Sequence, residues 1–231
     1  MRKRGIVAFA VVATVAATAA LATSVGSAGV VRTAQPSKTC AFTLRIGDVL
    51  PFTGGLAAYG ANLDRAVKVG IGLQNAALKQ TRLSKKIKVK LVGSEDGQTA
   101  AAASVEAATK LIKVNHANVI IGEMASGATI PMAQSVTIPN HIVQISPTSS
   151  APQLTDIVDN GYLWRPYPSD TLQGKVLAPA VIDAFGKGAT INVGASNDAL
   201  GPALKTLFTT EFPKLRGQGC VAHSWNADHA H

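Results

Sequence analysis

Two hydrophobic periods alternate along most of this chain. The run Thr43-Leu44-Arg45-Ile46-Gly47-Asp48-Val49-Leu50 predicts a strand, ended by Pro51 and the Gly54-Gly55 pair. From Ala61 to Lys79 the spacing changes: Leu63, Ala66, Val67, Gly70, Ile71 and Leu73 recur on one helical face. Lys86 to Val92 is a second strand, in which Ile87, Val89 and Leu91 alternate with lysines. Thr99 to Val114 is an Ala-rich helix with Val105, Ala108, Leu111 and Ile112 on one side. Val119-Ile120-Ile121 is a short buried strand, Ala128 to Val136 a helix and His141 to Ile145 the next strand, stopped by Pro147. A less regular segment leads to Tyr162-Leu163-Trp164. Helix over 171–185, strand over 189–193, helix over 199–212 and strand over 220–224 complete the pattern.

Strands separated by helices predict βαβ units, hence an α/β fold with largely parallel sheets. Ligands in such folds sit at the carboxyl ends of the strands. The informative segments are therefore 52–60, 95–99, 122–129, 146–151 and 195–201.

The first 28 residues stand apart. Met1-Arg2-Lys3-Arg4 is a basic start, no charge follows from Gly5 to Val31, and Gly26-Ser27-Ala28 supplies small residues for cleavage. This predicts a secretory signal peptide over 1–28 and a linker over 29–41. The alternative is a retained membrane anchor, against which the many Ala, Thr, Gly and Ser residues speak. Removal near Ala28 lowers the formal net charge from +9 to +6. The remaining charge is dispersed. Its densest group, Lys85, Lys86, Lys88 and Lys90, reads as the wet face of a strand, with no interleaved aromatics for base stacking. No nucleic-acid partner is expected.

Chemical motifs are few. The loop Pro51 to Gly60 is glycine-rich but has neither a dinucleotide nor a P-loop signature, and it offers Tyr59 as an aromatic for stacking. Met124 to Thr129 and Ser146 to Ser150 are hydroxyl clusters that read equally as carboxylate donors or as caps and turns. A G-x-S-x-G elbow is lacking, so no catalytic residue is assigned and an enzyme is not expected. His223, Asp228, His229 and His231 crowd the tail, but a terminal tail makes a poor metal centre; no metal and no cofactor are expected. Cys40 and Cys220 lie at opposite ends and are expected to be free or to pair outside this chain.

Ile46-Gly47-Asp48-Val49-Leu50-Pro51-Phe52-Thr53-Gly54-Gly55 with Tyr59-Gly60 resembles the opening of the leucine/isoleucine/valine-binding proteins, the extracytoplasmic solute receptors of ABC importers. Val119 to Gly122 with Ser126, Thr129 and Pro131 resembles the family's third strand and ligand loop. Ile145 to Leu154 resembles its next motif, and Trp164-Arg165-Pro166 through Asp170, Gln173 and Gly174 its crossing into a second lobe. The resemblance runs from about Thr43 to Trp225. It implies a two-lobed periplasmic-binding-protein-like fold, here with an N-terminal lobe over 42–165 and a partial C-terminal lobe over 166–231.

The same resemblance implies a ligand set. Ser126 and Ser150 would take an α-carboxylate, the Thr148 carbonyl an α-ammonium, and Tyr59 would cover the ligand; Ser149 belongs to the same cluster. Leu200 stands where the family usually has an aromatic. The family's remaining second-lobe strands, and the acid that pairs with the ammonium, have no counterpart before His231, so weak or no binding by this chain is expected. The implied partners are a small amino acid or amide-like solute and an ABC permease, on the outer side of the cytoplasmic membrane, which the chain would meet only through the transporter or an uncleaved anchor. A ligand-sensing receptor domain of the same fold is the alternative.

Overall fold

A computed structural model describes residues 41–83, 85–197, 200–215 and 220–225, the last segment as backbone. The elements follow the expected alternation. They run β1 (Phe42–Leu50), α1 (Ala57–Lys79), β2 (Ile87–Asp96), α2 (Ala101–Lys113), β3 (Val119–Gly122) and α3 (Ser126–Met132), which continues as a π turn over Ala133–Thr137. Then come β4 (Val143–Ile145), α4 (Gln153–Asp156), β5 (Leu163–Trp164), α5 (Asp170–Phe185), β6 (Ile191–Ser196), α6 (Gly201–Lys214) and β7 (Cys220–Trp225). The leader and linker, Cys40, the side chain of Cys220 and the histidine-rich tail lie outside the described residues.

Five strands form one parallel sheet in the order β2-β1-β3-β4-β5, and β6 and β7 form a second parallel pair. Parallel neighbours need helical crossovers, which is what the alternating periods encode. Chain order reverses direction in the first sheet between β1 and β3, the place where an open sheet leaves a crevice at its carboxyl edge.

The pleat sends Gly47 and Val49 to one face and Asp48 to the other. On the first face α2 and α3 cover Val49, Leu111, Ile120, Met132 and Val136, all buried. Gly47 admits α2 closely, since a Cβ there would stand 2.9 Å from the Leu111 side chain. Helix α1 is tied to β2 by Asn75, whose amide accepts the Val89 N–H (3.1 Å) and donates to the Val89 carbonyl (2.8 Å). The lysine pattern of β2 holds: Val89 is buried while Lys88 and Lys90 are exposed. In the second lobe the stacked rings of Phe208 and Phe212, 5.3 Å apart, pack with Ala178 of α5.

Several boundaries move for identifiable reasons. Helix α2 starts at Ala101 rather than Thr99 because Gln98 and Thr99 have φ of 55° and 57°, outside the right-handed helical region. β4 starts at Val143 rather than His141, whose φ is 55°. The turn at Gly186 and Gly188, both with positive φ, delays β6 to Ile191. Helix α3 begins two residues earlier than predicted, at Ser126, and its final turn widens to a π turn.

Candidate functional site

The carboxyl ends of β3 and β4 carry most of the candidate residues, and hydrogen bonds lock their two loops together. The Glu123 carbonyl accepts the hydroxyls of Ser146 (2.6 Å) and Thr129 (2.8 Å). The Met124 carbonyl accepts those of Thr148 (2.8 Å) and Ser149 (3.2 Å). Ser149 is buried, and its hydroxyl also lies 2.8 Å from that of Thr129. The Ser126 hydroxyl oxygen accepts the N–H groups of Ser150 (3.2 Å) and Ala151 (3.1 Å). Below them Gln144, fully buried, accepts from Thr137 (2.6 Å) and donates to the carbonyls of Gly122 and Thr129. A polar layer this dense inside a lobe holds its shape because each partner satisfies another.

The structure thus brings Ser126, Thr148, Ser149 and Ser150 into one cluster. The Ser149 hydroxyl is turned inward, and the Ser150 N–H is engaged by Ser126. Tyr59 stands apart in the first turn of α1, with 54% of its surface exposed. Leu200 lies in the second lobe at the start of α6. There it lines an apolar cavity of about 480 Å³ with Leu177, Val181, Leu204 and Phe208.

Three acids had no assigned role in the sequence. Asp96, at the end of β2, accepts the N–H groups of Phe52 (2.9 Å), Thr53 (3.1 Å) and Gln98 (2.9 Å) and the Thr53 hydroxyl (2.5 Å). Burial works to raise its pKa, but the hydrogen bonds from Thr53, Gln98 and Phe52 outweigh it and hold the carboxyl below the usual range. Glu123 is fully buried; one oxygen accepts the Ala125 N–H (2.8 Å) and the other has no hydrogen bond. Burial pushes its carboxyl up, against the nearby N–H groups and with help from the Asp96 charge. Asp48 is also fully buried, and neither of its oxygens has a hydrogen-bond partner. The adjacent Ser94 hydroxyl reaches Asp64 instead (3.3 Å). Burial pushes Asp48 up to about 6, with Asp64 adding repulsion and Lys68 offsetting part of it. An acid at the end of an otherwise apolar strand was the available signal for Glu123. For Asp96 it was an acid at the carboxyl end of the lysine-patterned strand, inside the segment 95–99.

Among the described residues no group of three or more His, Cys, Asp or Glu could hold a metal ion, and no helix is long and apolar enough to cross a membrane.

Solved structures share this architecture. A leucine-binding protein from Thermotoga maritima is 23% identical with a TM-score of 0.65, covering 81% of this chain and 50% of its own. A branched-chain amino-acid transporter substrate-binding protein from Streptococcus pneumoniae, solved in complex with isoleucine, is 22% identical with a TM-score of 0.64, covering 80% and 50%. An ABC-transporter solute-binding protein from Rhodopseudomonas palustris, solved with 3,4-dihydroxybenzoic acid, is 22% identical with a TM-score of 0.62, covering 80% and 47%. This chain therefore spans about half the length of the structures it resembles. No curated protein matches it significantly. The sequence matches the family described as periplasmic binding protein over residues 43–228, a family of binding proteins rather than enzymes. The fold is the α/β architecture with parallel sheets expected from the motifs, a five-stranded sheet followed by a two-stranded piece of the second, and the chain belongs to the periplasmic binding protein family.

Proposed function

We propose that this protein is an extracytoplasmic solute receptor that delivers a small amino acid or amide-like solute, of the branched-chain class, to an ABC permease. The observation that carries the reading is the Ser126 hydroxyl at the carboxyl end of β3, beside the reversal of strand order: its oxygen accepts the Ser150 and Ala151 N–H groups, which fixes it in place and leaves its proton to donate, with the Ser150 hydroxyl in the same cluster. Neutral donors on a rigid polar layer can hold a carboxylate without a fixed counter-charge. The solved relatives fit that chemistry: isoleucine and 3,4-dihydroxybenzoic acid both present a carboxyl group. Tyr59 covers the solute from α1, and Leu200 contributes an apolar wall from the second lobe. The lobes divide at 165/166, and residues 1–28 direct export.

Calorimetric titration with L-leucine, L-isoleucine, L-valine and 4-hydroxybenzoate tests this, on this chain and on the longest chain its gene encodes. Binding of a branched-chain amino acid supports the assignment. Binding of the aromatic acid alone reassigns the solute class, and silence from all four in the longer chain removes the reading.

A further inference from the structure

The first ligand loop is shaped in part from outside itself. Between β1 and α1 the chain must turn sharply, and three features of the neighbouring β2–α2 loop set that turn. The Asp96 carboxylate gathers the N–H groups of Phe52 and Thr53 and the Thr53 hydroxyl, while its bond to the Gln98 N–H fixes its own orientation. The Thr99 hydroxyl oxygen accepts the Leu56 N–H (3.1 Å), three residues before Tyr59. Gly54, at φ 82°, lies so close to the Gln98 carbonyl that a Cβ would stand 2.1 Å from it. The loop donates at each of these hydrogen bonds, which add an anionic group and a hydroxyl to its own backbone bonds from Phe52 N–H to the Leu50 carbonyl (3.0 Å) and from Ala57 N–H to the Gly54 carbonyl (3.1 Å).

We propose that Asp96 is the positioning residue of the solute site: by holding Phe52 and Thr53 it sets the path of the loop to Leu56 and thereby where Tyr59 meets the solute. This rests on the solute-binding reading above. Asp96 itself touches no solute. Its contribution is to order the loop beforehand, so that binding does not have to. The charge matters as well as the shape, because N–H groups converging on a carboxylate bind it more strongly than a neutral acceptor. Glu123, buried at the end of β3, lies near enough for its charge and that of Asp96 to repel each other. Its protonation removes a repulsion on Asp96 and so favours the latched loop.

Amide hydrogen exchange of the full chain between pH 2.5 and 7, normalised to intrinsic rates, tests the latch. While Phe52 keeps its bond to the Leu50 carbonyl, the amides of Thr53 and Leu56 in the unaltered protein should stay protected until the pH falls below the usual carboxylate range, then lose protection. Asp96→Ala should exchange there about tenfold faster or more at every pH. Asp96→Asn should be intermediate and show no acid step. Amides of β1 and α2 serve as the internal reference. If they too lose protection in a variant, that variant has unfolded more widely, and the acid step of the unaltered protein decides alone. Wild-type protection in Asp96→Ala, or no acid step in the unaltered protein, overturns the proposal.

Titration with L-leucine supplies the second readout. Affinity should fall roughly tenfold in Asp96→Ala, with Tyr59→Ala adding little on top of it, since both changes act through one contact. Full additivity of the two changes overturns the link to Tyr59. The titration is run on the longest chain the gene encodes; should that chain take up none of the four solutes named above, the solute assignment fails, while the exchange profile still tests the latch.

Discussion

The Ser126 hydroxyl oxygen accepts the Ser150 N–H at 3.2 Å, joining the start of α3 to the loop after β4. Because the same oxygen also takes the Ala151 N–H, one side chain satisfies two donors from a neighbouring loop. Ser150 is in turn fixed from its other side, where its carbonyl accepts the Asp170 N–H (2.9 Å) at the start of α5. The candidate site is thus tied by one main-chain hydrogen bond to the start of α5.

Ser126→Ala leaves both N–H groups without their acceptor in a buried setting. A loss of about 1–2 kcal/mol is expected in urea unfolding. Exchange at Ser150 and Ala151 should quicken at the same time. Unchanged stability together with unchanged exchange would show that the contact contributes nothing.

Gln144→Leu keeps the volume but removes the amide that serves Thr137, Gly122 and Thr129. Three buried polar groups then lose a partner. The expected cost is about 2–4 kcal/mol, read as a lowered urea midpoint with an unchanged slope. Thr137→Val in the same background should add little, because its partner is already gone.

Asp48 makes the first lobe more stable in mild acid than in base. Its folded pKa, about 6, lies above the unfolded value of 3.8, so the folded state binds the proton more tightly. Stability is fully present below the unfolded pKa and declines as pH rises from about 4 through 6. Glu123 is shifted in the same direction and adds to the trend. Asp48→Asn should therefore raise stability by up to about 2 kcal/mol at pH 8 and change it little at pH 4. Equal effects at both pH values would exclude titration of Asp48 as the cause.

Phe212→Ala tests the second lobe separately. The ring is fully buried against Phe208, and its removal should cost about 3–5 kcal/mol within that lobe. Exchange of α5 and α6 amides should rise while that of β1 and β3 is maintained. Uniform loss across both sheets would instead show that the lobes unfold as one.

The sequence carried the order of elements because each crossover switches the hydrophobic period, and Leu111 and Ile120 fell on the faces their spacing predicts. It carried less at the boundaries. Positive φ at Gln98, Thr99 and His141 reflects local hydrogen bonding and turn geometry that no periodicity reports. The hydroxyl cluster was legible as residue types at strand ends. Which hydroxyls face inward was not, because Ser149 and Ser150 differ only in the direction each leaves the loop. Asp96 was hidden for another reason: Phe52 and Thr53, which it holds, belong to another βαβ unit, so only the strand order brings them together.

The sheet order also leaves β2 as a terminal strand, and terminal strands offer unpaired N–H and C=O groups to any passing chain. Lys88 and Lys90 stand exposed on that strand. Two such charges brought against a second copy would repel, so the lysine run acts as a gatekeeper against edge-to-edge aggregation. The wet face that the alternation predicts thus helps this protein avoid binding itself.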